Sequence, residues 1–147
     1  MKPVRTLILI ADDVTARFLV NEGVGKGLRE ECVLSVSQFA QDQVSFEDRP
    51  GRGSGGAGGR HGYETGATAD DMGRARFARH VSEALDQEWR ALSPDRLILV
   101  APPKMLGVLR GALGPEPRAA LLADLAKDLV KVSLVELAGH LEPVIVA

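Results

Sequence analysis

A run of six residues near the N-terminus, Thr6-Leu7-Ile8-Leu9-Ile10-Ala11, decides the fold class. It is apolar without the alternating polar residues of a half-exposed strand, which predicts a strand covered on both faces of a sheet. A second such run, Arg96-Leu97-Ile98-Leu99-Val100-Ala101, ends at Pro102-Pro103, and prolines cannot donate to a sheet ladder. Two interior strands of this kind predict an α/β domain.

Two more strands are expected directly after the first run. Residues 15–21 include Phe18 and the β-branched Val20, which favour a strand. Glycines at 23, 25 and 27 then break the chain before residues 28–39, where Cys32, Leu34 and Val36 fall on one face of a predicted strand. The three strands together predict an antiparallel meander.

Three helices are predicted in the second half of the chain. The longest starts at Thr68 as a cap, buries one stripe of apolar residues and ends before Ser93-Pro94. Shorter helices are expected over residues 104–113 and from Ser133 to residue 141. Residues 121–126 favour a helix by propensity, but the topology needs a last strand there, and we predict a strand.

Composition limits the class of function. The 147 residues carry 18 basic and 20 acidic side chains, a net charge of −2, which excludes the global electrostatic footprint of a dedicated nucleic-acid binder. The single cysteine, Cys32, fits a reducing compartment. No run reaches the roughly 18 apolar residues of a membrane helix, and no export signal is visible. We expect one cytoplasmic domain over residues 1–147, without a membrane partner.

Residues 48–66 differ from the rest of the chain in composition. Eight of the sixteen glycines lie between Gly51 and Gly66. Ordering such a segment costs much backbone entropy and buries little apolar area, so we expect a flexible loop. Gly53, Gly55 and Gly58 match G-x-G-x-x-G, but they follow a charged stretch instead of a buried strand, which argues against dinucleotide binding.

Acidic and histidine residues give no clear catalytic or metal site. Asp12 and Asp13 end the first interior strand, where carboxylates can bind a metal, but no further carboxylates converge on them and a role in the turn is favoured. His61 lies in the glycine-rich segment, where a solvent-exposed histidine is the usual case, although it could bind phosphate. We therefore predict no metal, no cofactor and no catalytic residue.

The candidate binding site is a cluster of arginines and glycines. Arginine makes bidentate contacts with phosphate, and glycines let backbone N–H groups approach a ligand closely. Acidic residues interleave with the arginines, and the alternative is a solvated surface of mixed charge. The predicted binding residues are Arg49, Arg52, Gly55, Gly56, Gly58, Gly59, Arg60 and His61 in the loop, and Arg74, Arg76 and Arg79 in the long helix.

Five short motifs resemble the bacterial host attachment protein family. They are Asp48-Arg49-Pro50-Gly51-Arg52, Phe77-Ala78, Leu97-Ile98-Leu99-Val100-Ala101-Pro102-Pro103, Leu106-Gly107-Val108-Leu109-Arg110 and Lys127-Asp128-Leu129. The motifs occur in the order and at the spacing of that family, and the resemblance covers almost the whole chain. The family name records a cell-attachment phenotype, which a chain without an export signal would produce indirectly.

That family is similar to the central domain of archaeal and eukaryotic peptide-chain release factors and of Pelota. In release factors a Gly-Gly-Gln loop precedes a long helix with Arg-Phe-Ala-Arg, and here Arg76-Phe77-Ala78-Arg79 follows the glycine-rich segment. The resemblance implies an RNase H-like single domain with a five-stranded mixed sheet, a three-strand antiparallel meander plus two parallel strands, and about three helices. The glutamine is absent, since Ala57 and Arg60 follow the two Gly-Gly pairs.

These observations predict a non-catalytic module that binds RNA or a ribonucleoprotein such as the ribosome, through the loop and the helix arginines. One alternative is a peptidyl-tRNA or ribosome-rescue hydrolase, in which a backbone group of the degenerate loop or His61 replaces the glutamine. Another is an adaptor that binds a protein partner or forms a homodimer.

Overall fold

The computed structural model describes residues 3–39 and 68–145. Within these two ranges the chain forms five strands and four α-helices. The first half contains β1 (Thr6–Ala11), β2 (Thr15–Asn21), β3 (Arg29–Ser35) and a 3₁₀ helix (Val36–Phe39). The second half contains α1 (Ala69–Leu92), β4 (Arg96–Ala101), α2 (Pro103–Ala112), α3 (Pro115–Ala119), β5 (Leu121–Ala126) and α4 (Leu134–Leu141).

The five strands form one mixed sheet in the order β3-β2-β1-β4-β5. β2 pairs antiparallel with β1 and β3, whereas β4 pairs parallel with β1 and β5. Leu9 at the centre of β1 lies beside Phe18 of β2 and Leu99 of β4. The α/β class, the meander and the two parallel strands are confirmed; the RNase H-like label stays a prediction.

Both faces of the central strands are covered, as their sequences indicate. Leu7 and Leu9 of β1 point into the core beneath α1 and α2, and Ile8 and Ile10 point into a second core with residues of α4. All four side chains are fully buried, and each such burial stabilises the fold by about 1.5–3 kcal/mol. The position of β1 and β4 in the middle of the sheet follows from this burial.

Helix α1 begins with a capping box. The Thr68 hydroxyl accepts a hydrogen bond from the backbone N–H of Asp71 (3.0 Å), and the Asp71 carboxylate accepts one from the backbone N–H of Thr68 (3.1 Å). The helix ends at Ser93, which adopts a left-handed conformation with φ of 47°. The predicted start, end and buried stripe of this helix are confirmed, and the start positions the residues described below.

Two details differ from the sequence-based expectation. Residues 36–39 form a 3₁₀ turn instead of extending β3, and the side chain of Gln38 accepts a hydrogen bond from the backbone N–H of Ser35 (2.6 Å), which competes with the ladder. The described chain has four α-helices where about three were predicted, because Gly114-Pro115 does not only close α2. Proline suits the first position of a helix, and Pro115 also starts α3.

The C-terminal part of the described chain is well packed. β5 is a strand as predicted, and Ile145 is buried in the core beside α4, so the apolar tail does have a partner. None of the helices in the described ranges is long and apolar enough to cross a membrane. The expected flexibility of residues 48–66 falls outside the described residues.

Candidate functional site

The carboxyl ends of the parallel strands β1 and β4 meet at one edge of the sheet. After β1 the sheet grows through β2 and β3 on one side, whereas β4 and β5 are added on the other. The direction of winding therefore reverses between β1 and β4. In open α/β sheets, ligands bind in the crevice outside the carboxyl ends of the strands at such a point. Two clefts lie at this edge.

The first, which we call the helix cleft, has a volume of about 200 Å³. It lies between the turn after β1, the 3₁₀ helix and the first three turns of α1. Apolar walls and charged groups both contribute to it. Its lining residues are Asp13, Val14, Val36, Phe39, Ala69, Asp70, Gly73, Arg74, Arg76, Phe77 and His80.

The second, which we call the proline cleft, has a volume of about 560 Å³ and lies where β4 passes into α2. It is more open and shares three residues with the helix cleft, namely Asp13, Val14 and Arg74. The remainder of its lining is formed by Asp12, Pro102, Pro103, Lys104 and Met105. The shared residues mark the junction between the two clefts.

Asp12 shapes the turn that follows β1. Its Oδ1 accepts hydrogen bonds from the backbone N–H groups of Val14 (2.9 Å) and Thr15 (2.7 Å), which is the geometry of an Asx turn. The predicted turn role of Asp12 is confirmed. In residues 3–39 and 68–145, no three His, Cys, Asp or Glu side chains are grouped so that they could hold a metal ion.

Arg74 joins the turn after β1 to the start of α1. Its Nε donates to both carboxylate oxygens of Asp13, at 3.1 and 3.2 Å, and its Nη1 donates to Asp71 Oδ1 at 2.8 Å. The hydrogen bond from Arg74, followed by those from Thr68, holds the pKa of Asp71 below its usual value. The hydrogen bonds to Asp13 and then Asp71 raise the pKa of Arg74.

A pair of stacked rings forms another part of the helix cleft. The rings of Phe39 and His80 lie 3.8 Å apart with an angle of 9° between their planes. Phe77 adds a tilted ring at 6.4 Å from Phe39. His80 lies four residues after Arg76, so both belong to one face of α1. Both rings line the helix cleft, as does the side chain of Arg76.

The predicted site residues fall into three groups. Arg74 and Arg76 line the helix cleft, and Arg79 is exposed on α1 without lining it. The other eight lie outside the described residues: Arg49, Arg52, Gly55, Gly56, Gly58, Gly59, Arg60 and His61. The described chain stops at Phe39 and resumes at Thr68, and Phe39 and Ala69 both line the helix cleft. The segment that carries the other eight thus joins the described chain at this cleft.

Sequence reasoning missed Phe39, His80 and the role of Asp13 as the partner of Arg74. The spacing of His80 from Arg76 was a usable signal for His80. Phe39 had none, because it was predicted to lie in an extended strand. The Asp13–Arg74 pair joins residues 61 positions apart, and no local pattern reports such a contact.

Comparison with known proteins identifies the family. A search of curated protein sequences gives no significant match. The sequence model of a family described as "protein required for attachment to host cells" matches residues 7–141. This match runs from the second residue of β1 to the last residue of α4. It includes all the residues that line the two clefts. The chain therefore belongs to the family of proteins required for attachment to host cells.

Proposed function

We propose that this protein is a cytoplasmic binding module for RNA, either alone or within a ribonucleoprotein such as the ribosome, and that the helix cleft is part of its RNA-binding surface. The observation that carries the proposal is the stacked pair of Phe39 and His80 beside Arg76. No chemical step is part of the proposed function.

The chemistry of the cleft suits an unpaired nucleotide. Proteins recognise single-stranded RNA by stacking bases on aromatic side chains and by contacting phosphates with arginine. The stacked rings of Phe39 and His80 line the cleft together with Arg76. The cleft of about 200 Å³ is small for a drug-sized ligand, which usually needs about 300 Å³ or more, so we expect it to receive one base and not a whole oligonucleotide.

A net charge of −2 means that cations must be concentrated locally for RNA to bind. Arg76 and Arg79 lie three residues apart on α1, next to the cleft. The segment that joins the described chain at Phe39 and Thr68 carries Arg49, Arg52 and Arg60 together with His61. We include these residues and the Gly-Gly pairs at 55–56 and 58–59 in the proposed surface.

The resemblance to release factors supports the same proposal. The Arg76-Phe77-Ala78-Arg79 motif stands after a glycine-rich segment, as the corresponding motif does in proteins that act on the ribosome. In this chain Phe77 and Ala78 are buried in the core beneath α1. The same four residues thus anchor the helix with two side chains and offer two arginines for binding.

The test is a double charge reversal on α1, with a single reversal far from the cleft as the control for position. We expect Arg76→Glu/Arg79→Glu to weaken binding of a fluorescent single-stranded RNA at least tenfold and to remove co-sedimentation with ribosomes. Arg90→Glu reverses one exposed charge on the same helix about 21 Å farther along its axis and should change binding little. Anisotropy at several salt concentrations should show a slope lowered by about 1.4, since each phosphate contact on a single strand contributes about 0.7.

Other outcomes would replace the proposal. Equal binding by the double variant, the Arg90 variant and the parent protein, with all three folded by circular dichroism, would remove the cleft from the RNA surface. Release of a labelled peptide from stalled ribosomes would favour the hydrolase. A pull-down insensitive to nuclease and dominated by one protein would favour the adaptor, and self-association without any RNA binding would favour the homodimer.

A further inference from the structure

Arg74 occupies the junction of the helix cleft and the proline cleft, since it lines both. Its side chain is only 11% exposed, whereas its two acidic partners, Asp13 and Asp71, are 46% and 38% exposed. A partly buried cation with more exposed acidic partners is thus placed where the two clefts meet.

The guanidinium of Arg74 retains unused hydrogen-bonding capacity. It carries five N–H donors, of which Nε–H binds Asp13 and one N–H of Nη1 binds Asp71. The other three have no acceptor among the described residues. No buried side-chain nitrogen or oxygen of the described chain lacks a partner, so Nη2 is reached by solvent. Arg74 can therefore donate a hydrogen bond to an additional oxygen atom of a ligand in either cleft.

The two acidic partners differ in how firmly they are held. Asp71 also accepts the hydrogen bond from the backbone N–H of Thr68 in the capping box. Within the described ranges, the Asp13 carboxylate binds Arg74 alone, and it does so with both oxygens. The two oxygens share the single Nε–H, and a phosphate oxygen can take the place of a carboxylate oxygen on such a donor. Asp13 is thus the partner that a phosphate could replace.

The charge around Arg74 limits how readily a phosphate can replace Asp13. The charged groups around the junction are four carboxylates and three cations, a net negative charge that opposes an incoming phosphate; they are Asp12, Asp13, Asp70 and Asp71 and Arg74, Arg76 and Lys104. We propose that Arg74 binds a phosphate group at the junction of the two clefts, and that Asp13 covers this subsite until the phosphate displaces it. That the phosphate belongs to RNA rests on the proposed function, whereas the subsite itself rests on Arg74 and its acids.

The experiment removes the charge of Asp13 and compares the effect with removal of an acidic charge outside both clefts. Asp13→Asn is expected to bind inorganic pyrophosphate about fivefold more tightly than the parent protein, the factor that about 1 kcal/mol gives. Glu83→Gln removes an equal charge from an exposed position of α1 that lines neither cleft, and it should change affinity less than about twofold. Titration calorimetry gives the affinities, and the NMR signal of the Arg74 Nε–H should shift on binding.

A double variant assigns the gain to Arg74. Asp13→Asn/Arg74→Met should lose the tighter binding, and Asp13→Ser should repeat the effect of Asp13→Asn. The proposal is overturned by equal gains from Asp13→Asn and Glu83→Gln, by a gain that survives without Arg74, or by no gain. Tighter pyrophosphate binding without any RNA binding would reject the proposed function and keep the subsite, and RNA binding without that gain would do the reverse.

Discussion

Arg17 and Arg74 are both arginines with little exposed side chain, but their hydrogen-bond partners differ in kind. Each side chain is 11% exposed, and each donates several hydrogen bonds. Arg17 of β2 donates from Nε to Glu30 at 2.7 Å and from Nη1 to the main-chain oxygens of Val130 and Val132 at 2.9 and 2.6 Å. Its guanidinium therefore ties the sheet to the segment before α4.

Arg74, which lies on the helix that covers the other face of the sheet, has no main-chain acceptor among the described residues. Its acceptors are the carboxylates of Asp13 and Asp71, both more exposed than the arginine itself. A main-chain carbonyl cannot leave without moving its segment, whereas an exposed carboxylate can turn into water and be hydrated. We infer from this comparison that the contacts of Arg17 stabilise the fold, whereas the acidic partners of Arg74 can be replaced by water or by a ligand.

The largest effect is expected from Arg17→Met. Methionine keeps much of the apolar volume but leaves Glu30 and two carbonyl oxygens without their donor. Glu30 is 30% exposed and can be hydrated, but the two main-chain oxygens lose a charged donor, and we expect the free energy of unfolding to fall by about 3 kcal/mol. Urea unfolding followed by tryptophan fluorescence measures the change, since the single tryptophan, Trp89, is buried on α1.

The matched control is Arg29→Met on the neighbouring strand. Arg29 also pairs with glutamates, Glu22 and Glu31, but its side chain is 51% exposed, so we expect a loss of less than about 1 kcal/mol. Similar losses for the Arg17 and Arg29 variants would contradict the structural role of Arg17.

A smaller effect is expected from Thr68→Ala, which acts on the cleft side of the comparison. The substitution removes the hydroxyl that accepts the hydrogen bond from the backbone N–H of Asp71. Loss of such a cap costs about 1 kcal/mol, and thermal unfolding should show it. Thr68→Ser keeps the hydroxyl and should retain most of the stability; if it is as unstable as the alanine variant, the cap is not the cause.

Much of the fold was predictable because the central strands carry an unambiguous pattern. The runs at β1 and β4 are apolar on both faces, and only burial on both sides of a sheet satisfies them. β5 was harder, since the alanines and leucines of Leu121–Ala126 favour a helix and its pairing with β4 decides for a strand. The short helix α3 was missed because its proline was assigned a single role.

The candidate site was predictable only where its residues share a helix. Arg74 and Arg76 lie near the start of α1, and the sequence places them shortly after the glycine-rich segment. The Asp13–Arg74 pair and the Phe39–His80 stack join residues far apart in sequence. Such contacts depend on how the turn after β1 and the 3₁₀ helix pack against α1, which no spacing rule describes.

Arg74→Met should cost less stability than Arg17→Met in spite of equal burial. Asp13 and Asp71 can be hydrated when the guanidinium is removed, and the stem of methionine keeps the packing at the start of α1. We expect the free energy of unfolding to fall by about 0.5 kcal/mol in urea. A loss close to that of Arg17→Met would show that the cleft arginine is as structural as the sheet arginine.

The smallest effect is the pH dependence that Asp71 adds. Arg74, and then Thr68, keep the pKa of Asp71 in the folded protein below the ordinary value of 3.8. A carboxylate with a lowered pKa stabilises the fold at any pH above the ordinary value, and this contribution disappears as the pH falls through the lowered one. The stability difference between the parent protein and Asp71→Asn should therefore be constant from pH 7 to about 5 and shrink below pH 3.8.

Arg74→Met should weaken this pH dependence more than Thr68→Ala, because the hydrogen bond from Arg74 is the largest cause of the lowered pKa of Asp71. Urea unfolding of the four proteins at a series of pH values tests the order, and an acid response in Arg74→Met equal to that of the parent protein would contradict the assignment of Arg74 as the main partner of Asp71.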